Sequence, residues 1–244
     1  MRNEKKDGKR QNIISHLESM EDPAARRGME KYGIRAGRIY GVRIPDLRKI
    51  AAEIGKDHDT ALWLWRHDSR ETRILAGMID DPGRLTSQQM EDWVNDFDSW
   101  EVCDQCCMNL FEKVPAAYAK AGEWSCREKE FVKRAGFVLM ARLAVSDKQA
   151  PDERFLEFFP HLRRESGDSR NFVKKAVNWA LRQIGKRNIR LNRESRRLAE
   201  EIRSQGTPSA RWIAADALRE LESRAVQTRL EKRRRKERMK EELS

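Results

Sequence analysis

The sequence predicts an all-α protein, and three observations support this prediction. Apolar residues recur three and four positions apart along the chain, which is the period of an amphipathic helix, and no window alternates as a strand does. The 244 residues include only 13 glycines and 7 prolines, too few for a protein with many tight β-turns. Similar segments also recur at a spacing near forty residues, which is long enough for two helices each.

Helix start signals divide the chain into its expected elements. Pro45 and Pro208 suit the first turn of a helix. Candidate N-caps are Thr86, Ser99, Asp168 and Thr207. We expect helices over residues 10–20, 23–33, 45–54, 58–67, 70–80, 87–97, 99–111, 115–123, 128–145, 152–165, 169–187, 191–204 and 208–222, with a last basic helix or frayed arm over 223–242.

Two matched pairs of segments indicate how these helices are organised. Phe131-Val-Lys-Arg-Ala135 and Phe172-Val-Lys-Lys-Ala176 lie 41 residues apart. Ala180-Leu-Arg182 then matches Ala217-Leu-Arg219, 37 residues further on. A period near forty with two helices per unit is typical of HEAT-like repeats. The sequence therefore predicts a curved superhelix of two-helix repeats, whose concave face is the usual binding surface.

The positions of the charged residues indicate how the chain is divided into segments. The net charge is +11, and +7 of it lies in residues 1–11 and 229–244. We therefore expect a basic N-terminal arm over 1–11, one helical domain over 12–222 and a basic C-terminal helix or tail over 223–244. Tails that only keep the protein soluble are an equal alternative to a role in nucleic-acid binding.

The chain has no long apolar run and its first residues do not form a secretory signal, so we expect a cytoplasmic monomer that does not enter membranes.

The four cysteines, Cys103, Cys106, Cys107 and Cys126, suggest no metal site. A zinc site usually needs a second ligand pair at a defined spacing, and no histidine follows nearby. We expect reduced thiols that fill small buried positions on helices. The four histidines are scattered and fit no catalytic arrangement.

One helix carries an aromatic residue beside a carboxylate. Trp100 and Asp104 are four residues apart, so they share one face, one turn apart. This pair suits a cationic ligand. A core tryptophan with a surface aspartate is the alternative that spacing alone favours.

Basic residues occupy equivalent positions in the matched helices. Lys133 and Arg134 lie in the first turn of one helix. Lys174 and Lys175 lie in the first turn of the other helix, and Trp179 and Arg182 follow them. Lined up along the concave face of a superhelix, these residues would form a track for a phosphate backbone. Solvated side chains on the convex face are the alternative.

These residues together resemble the AlkD-type DNA alkylation repair glycosylases, which are all-helical HEAT-like proteins that remove alkylated purines. The resemblance spans about residues 20–222. It is carried by Tyr32, Gly41-Val-Arg-Ile-Pro-Asp-Leu-Arg48, Asp98-Ser-Trp-Glu-Val-Cys-Asp104, Phe131-Val-Lys-Arg134 and Phe172-Val-Lys-Lys-Ala-Val-Asn-Trp-Ala-Leu-Arg182.

The resemblance implies a role for each matching position. Asp104 is the catalytic carboxylate, Trp100 and Trp179 are aromatic walls, and Arg134 is a basic partner near the backbone of the lesion. Tyr32 lines the same cleft. The expected DNA-binding residues are Tyr32, Arg48, Lys133, Lys174, Lys175, Arg182 and Arg211. The family's second aromatic residue beside the tryptophan is Ser99 here, so one wall is expected to be thinner.

The residue types agree with the implied chemistry. A purine alkylated at N3 or N7 is cationic, so it is already a good leaving group, and a carboxylate can stabilise the oxocarbenium that forms on the sugar. The resemblance implies that the lesion stays in the duplex instead of entering a deep pocket. Neither a metal nor a redox cofactor is expected.

The function expected from the resemblance is hydrolysis of the N-glycosidic bond of alkylated purines in double-stranded DNA, which leaves an abasic site. Two alternatives stay open. One is a HEAT-like protein that binds nucleic acid without excision, and the other is a protein-interaction scaffold.

Overall fold

The computed structural model describes the backbone of residues 2–34 and 37–241, and the side chains of residues 7–34, 37–236 and 239. Within these residues the secondary structure is helical, with no β-strand beyond an isolated bridge between Arg38 and Ser69. The prediction of an all-α fold is confirmed. The chain divides into two compact units, residues 1–115 and 116–244.

The first unit contains seven α-helices and a short 3₁₀ helix in its described part. They are α1 (Arg2–Ser19), α2 (Pro23–Lys31), α3 (Ile44–Ile54), α4 (His58–Arg66), α5 (Arg70–Ile79), α6 (Ser87–Asn95), α7 (Trp100–Asn109) and the 3₁₀ helix Phe111–Lys113. Helix α5 is central, since it packs against α3, α4 and α7. Ile74 and Leu75 of α5 are fully buried, as are Leu47 of α3 and Val102 of α7. This packing fixes the position of α7.

The second unit is built around one long buried helix. Its helices are α8 (Ala117–Trp124), α9 (Glu130–Ser146), α10 (Asp152–Leu156), α11 (Phe159–Glu165), α12 (Asn171–Gly185), α13 (Ile189–Ser204), α14 (Pro208–Leu221) and α15 (Arg224–Glu241). Helix α9 packs against α8 and α12, and α12 also packs against α13 and α14. Almost every residue of α9 between Val132 and Ala144 is buried, including the charged Lys133 and Arg134.

The repeat period is visible in contacts inside the second unit. Side-chain hydrogen bonds join residues 38 positions apart, namely Arg163 to Glu201, Asn178 to Asp216 and Arg182 to Glu220. The first pair joins α11 to α13, and the other two join α12 to α14. Equivalent helices of successive two-helix units therefore lie side by side.

One predicted helix is two helices in the structure. The segment expected over 152–165 ends at Leu156 and starts again at Phe159. Pro160 has no N–H to donate to the carbonyl of Leu156, so the α-helical hydrogen bond is lost there. A proline is favourable in the first turn of a helix, and Pro160 has that position in α11.

Three of the four predicted N-caps are confirmed. The hydroxyls of Thr86, Ser99 and Thr207 accept hydrogen bonds from the first turns of α6, α7 and α14. The prediction for Asp168 is wrong, because α12 begins only at Asn171. Asp168 instead accepts the backbone N–H of Arg170 at 3.0 Å and pairs with its guanidinium.

The first helix is longer than the sequence predicted. It begins at Arg2 instead of near residue 10. Lys9 forms an ion pair with Asp57 at 3.0 Å, and the guanidinium of Arg10 lies over the ring of Trp63. Among the described helices, none combines the length and apolar character needed to cross a membrane.

Candidate active site

Helix α7 presents Trp100 and Asp104 from its first two turns. The helix begins at Trp100 because the hydroxyl of the buried Ser99 accepts the backbone N–H of Val102 at 3.4 Å. The indole of Trp100 is partly buried, and Asp104 is only 9% exposed. An aromatic ring and a largely desolvated carboxylate thus lie one turn apart on one face.

The ring of Trp100 is held by a backbone carbonyl. Its Nε1 donates a hydrogen bond of 3.0 Å to the carbonyl oxygen of Tyr32, the residue that caps the C-terminus of α2. The side chain of Tyr32 is 76% exposed. The structure therefore joins the backbone of Tyr32 to the indole of Trp100, which lies one helical turn from Asp104.

A buried ion network holds the start of α7 against α5. Arg70 is 1% exposed, and its Nε donates to Oε2 of Glu101 at 2.7 Å. Its Nη1 donates to Oε1 of the fully buried Glu71, also at 2.7 Å. Burial alone would lower the pKa of Arg70, but the two carboxylates outweigh it and hold this pKa above its usual value. Glu101 follows Trp100 directly, so the network fixes the helix end that carries the indole.

The same network orders the segment before α3. Oxygens of Glu71 accept the backbone N–H groups of Tyr40, Gly41 and Val42 at 3.0, 3.0 and 3.2 Å. A carboxylate can satisfy three backbone donors at once only when they converge on it, which requires a sharp backbone bend. Gly41 provides that bend, with a φ of +88°.

An ion pair between Asp98 and Arg73 forms a second link between α5 and the segment before α7. Nη1 of Arg73 donates to Asp98 at 3.0 Å, and its Nη2 pairs with Asp68 at 2.7 Å. Burial is the largest influence on Asp98 and raises the pKa of its carboxyl in spite of Arg73. Sequence reasoning missed both this pair and the Arg70 network, since charged residues in the first turns of α5 give no signal of burial.

Arg48 lies on the exposed side of α3, in the first unit. No ion pair holds its guanidinium among the described side chains. Arg48 and Tyr32, the two expected DNA-binding residues of the first unit, are therefore both open to solvent.

Arg134 is buried in the second unit, where it joins the two matched helices. It is 6% exposed, and its Nη1 donates to the carbonyl oxygen of Phe172 at 2.6 Å. The rings of Phe131 and Phe172 lie 5.6 Å apart in the same region. The first turns of α9 and α12, which match in sequence, are thus in direct contact.

Lys133 is held inside the second unit by two carboxylates. Its Nζ lies 2.6 Å from Glu165 and 3.5 Å from Asp168, and its side chain is 8% exposed. Burial would raise the pKa of Glu165, but hydrogen bonds from Arg164 and Lys133 outweigh it and hold that pKa below its usual value. As a DNA contact Lys133 stays a prediction, and it would have to leave these partners to reach a phosphate.

Helix α12 carries three further predicted residues on one face. Lys175 is exposed, Trp179 follows four residues later and is partly buried, and Arg182 follows three after that. Arg182 pairs with Glu220 at 2.5 Å and lies 3.6 Å from Asp216, so carboxylates of α14 offset its charge.

The remaining two predicted residues lie near the start of α14. The ammonium of Lys174 lies 4.9 Å from the ring centre of Trp212, which is 40% exposed. Arg211 is exposed, and its Nη1 donates to the carbonyl oxygen of Gly206 at 2.6 Å. The second unit therefore gathers lysines, arginines and indoles on α12 and α14.

Three cysteines are buried, as predicted, and one is not. Cys103, Cys106 and Cys107 lie in the core of the first unit, where burial raises the pKa of the Cys106 and Cys107 thiols well above the usual range. The prediction is wrong for Cys126, which is exposed after the end of α8 and accepts a hydrogen bond from Arg164. Within the described residues no group of three or more histidine, cysteine or acidic side chains could hold a metal ion.

The fold and these side chains define a class of protein, the all-α proteins of HEAT-like two-helix repeats. A solved structure with the same fold supports this, with a TM-score of 0.70 and 17% identity over 78% of this chain and 82% of that chain. That structure is described as belonging to a new family related to the HEAT-like repeat DNA glycosylases, with affinity for branched DNA structures. No curated protein matches the sequence significantly.

The sequence identifies the family more narrowly. Residues 13–194, about three quarters of the chain, match the family described as DNA alkylation repair enzyme. The chain belongs to this family, and the resemblance inferred from its motifs is confirmed. It is therefore a protein of a DNA repair family.

Proposed function

We propose that this protein is a DNA glycosylase that hydrolyses the N-glycosidic bond of N3- or N7-alkylated purines in duplex DNA and leaves an abasic site. The observation that carries the proposal is the α7 pair. An oriented indole and the largely buried Asp104, a residue only 9% exposed, lie one turn apart, which suits a cationic substrate and a cationic transition state.

Asp104 is the catalytic carboxylate of the proposal. The alkylated purine already bears a positive charge, so it leaves without protonation by a general acid. As the bond to the sugar lengthens, positive charge moves onto the sugar, and a fixed anion stabilises it. Asp104 also orients the water that attacks the sugar carbon. Burial strengthens its interaction with the developing charge, because fewer water molecules screen it.

Trp100 and Trp179 are the aromatic partners of the cationic nucleotide. An indole face attracts a cation with about 0.5–2 kcal/mol, depending on how far the pair is removed from water. The hydrogen bond to Tyr32 fixes the plane of Trp100 before the lesion binds, which avoids an ordering cost at that step. Arg134 is the proposed basic partner of the backbone near the lesion.

The proposed contacts to undamaged backbone fall into two groups. Arg48, Lys175 and Arg211 are exposed and suit phosphate contacts. Lys133, Lys174 and Arg182 each have a partner inside the second unit, so their contribution is to orient neighbouring groups or to exchange partners on binding.

Release of 7-methylguanine from a methylated duplex is the direct test of this proposal. The protein is incubated with the duplex, and free base is separated and quantified, with an unmethylated duplex of the same sequence as the control. Released 7-methylguanine, with no base released from the control, supports the proposal. Absence of free base while the duplex is bound contradicts it.

A DNA-binding protein without excision is the second candidate. It is favoured by the likeness in fold to a protein described as having affinity for branched DNA structures. This candidate expects tighter binding to a four-way junction than to a linear duplex, and no base release from either. The glycosylase expects base release from the methylated duplex whatever the junction affinity.

A further inference from the structure

A cavity of about 560 Å³ in the second unit is lined by five cationic side chains. They are Lys148, Lys186, Arg187, Arg229 and Arg233. The cavity lies where α9 and α12 end and α15 passes, and none of its described lining residues is acidic. All five cations lie outside the motifs that carry the family resemblance.

Among the described side chains, one ion pair joins these five cations to a carboxylate. Lys186 pairs with Glu220 at 2.7 Å. Arg187 donates to the carbonyl oxygens of Ala144 and Asp147 at 2.8 and 2.7 Å. For Lys148 and Arg229, no ion-pair partner lies among the side chains that the structure describes.

Arg233 is likewise bound to backbone carbonyls, those of Lys186 and Arg187 at 3.3 and 3.1 Å. Backbone carbonyls carry only partial charges, so Arg233 keeps most of its positive field, whereas Arg187 is also attracted by the carboxylates of Asp147 and Asp152. Burial, followed by the charges of Arg233 and Arg187, lowers the pKa of Lys148. The cations therefore disfavour one another, and a bound anion would relieve that repulsion.

Helix α15 presents its cations from a fixed position. Val226 and Leu230 are 4% and 1% exposed, so they anchor the helix in the core. The amide of Gln227 donates to the carbonyl oxygen of Leu221 at 2.6 Å and to the side chain of Asn192 at 3.1 Å. Arg229 and Arg233 therefore lie on a part of α15 that packs on the rest of the second unit. This packing sets the position of the helix that carries them before any ligand binds.

The cationic surface continues beyond the cavity along α15. Arg229 and Arg233 also line a second, open depression of about 760 Å³. Its other basic lining residues are Arg224, Lys232 and Lys236. From residue 224 to 236 the helix rises by about 18 Å, which matches about five base pairs of DNA at about 3.4 Å each. A line of cations suits a polyanion better than a single phosphate compound.

We propose that the cavity between the ends of α9 and α12 and helix α15 binds backbone phosphodiester groups of a DNA strand, with Lys148 and Arg229 as the cations that have no ion-pair partner among the described side chains. The family match ends at residue 194, so α15 lies outside the matched region and its DNA contact would be additional to those of that region. The proposed site requires that the protein bind DNA, but not that it excise a base. The test of this site and the test of the glycosylase reaction can therefore fail independently.

Binding of an undamaged duplex over a salt series tests this site. The variant is Lys148→Ala/Arg229→Ala, since both side chains are exposed and neither has a described ion pair. The charge-matched control is Arg193→Ala/Arg197→Ala on α13, where both side chains are also exposed. Lys148→Arg/Arg229→Lys keeps both charges, and circular dichroism confirms that each variant is folded.

If each cation contacts one phosphate, the slope of log K against log salt falls by about 1.8 in the double-alanine variant, two contacts at about 0.9 each. The charge-preserving variant keeps the parent slope, and the control changes it by less than the double-alanine variant. An unchanged slope in the double-alanine variant overturns the proposal. A titration of the parent and the double-alanine variant with pyrophosphate tests whether the cavity binds a small phosphate compound instead. If the double-alanine variant loses pyrophosphate binding but keeps the parent salt slope for DNA, the cavity binds such a compound and not the DNA backbone.

Discussion

The indole Nε1 of Trp100 donates a hydrogen bond of 3.0 Å to the carbonyl oxygen of Tyr32, 68 residues earlier in the chain. The bond joins the first residue of α7 to the end of α2. A tryptophan held in this way cannot turn its ring without losing a hydrogen bond. The plane that meets the proposed lesion is therefore set by the fold, one helical turn from Asp104.

Trp100→Phe tests this orientation. The substitution keeps an aromatic face but removes the Nε1 donor, so we expect excision to fall by up to about tenfold, the equivalent of a hydrogen bond of about 0.5–1.5 kcal/mol. Single-turnover base release measures the effect. Trp65→Phe is the matched control, since Trp65 Nε1 also donates a hydrogen bond, to Asp96 at 2.9 Å. Equal losses of excision in both variants would mean that the effect is one of stability and not of orientation.

Gly41→Ala tests the bend that the Glu71 network requires. An added Cβ would lie 2.3 Å from the carbonyl oxygen of Asp22, and the φ of +88° is itself unfavourable for alanine. Gly55→Ala is the control for backbone strain alone, because Gly55 also has a positive φ but open space around it. We expect the control to lower the free energy of unfolding by about 1–3 kcal/mol, and Gly41→Ala to lower it by clearly more. Denaturant titration compares them, and equal losses would remove the steric role of Gly41.

Lys133→Met tests whether Lys133 stabilises the second unit. We expect its loss to reduce the free energy of unfolding at neutral pH by about 1.5–3 kcal/mol, as for a hydrogen bond to a charged group. The pKa of Glu165 is below its usual value in the folded protein, so its contribution is present above the unfolded pKa, near 4.5, and is lost as the pH falls through the lower folded value. The difference between parent and variant should therefore shrink below about pH 4.5.

Lys175→Met is the matched control for Lys133, since Lys175 is exposed on α12. It should leave the unfolding free energy unchanged and weaken DNA binding. A Lys133→Met variant with unchanged stability, but with DNA affinity reduced as in Lys175→Met, would contradict the structural role of Lys133.

Most of the fold could be predicted from periodicity and start signals, because both are local properties of the sequence. The N-caps Thr86, Ser99 and Thr207 and the helices that follow them are examples. The break before Phe159 was missed although Pro160 carried its signal, since the apolar pattern continues across it.

The environment of charged side chains could not be predicted in the same way. Lys133 and Lys174 have equivalent positions in matched segments, yet one meets Glu165 and Asp168 and the other meets Trp212. These partners come from other helices of the second unit, so spacing within α9 or α12 contains no information about them. The pairing of Trp100 with a carbonyl 68 residues away was hidden for the same reason.

Single-turnover release of 7-methylguanine by the parent protein and by Asp104→Asn tests the central claim most directly. The substitution keeps the size of the side chain and removes its charge, so we expect excision to fall by about 10²–10³-fold, while binding of undamaged duplex stays the same or tightens slightly. Asp92→Asn, an exposed position on α6, is the matched control and should excise like the parent. Excision by Asp104→Asn at the parent rate would contradict the proposed mechanism.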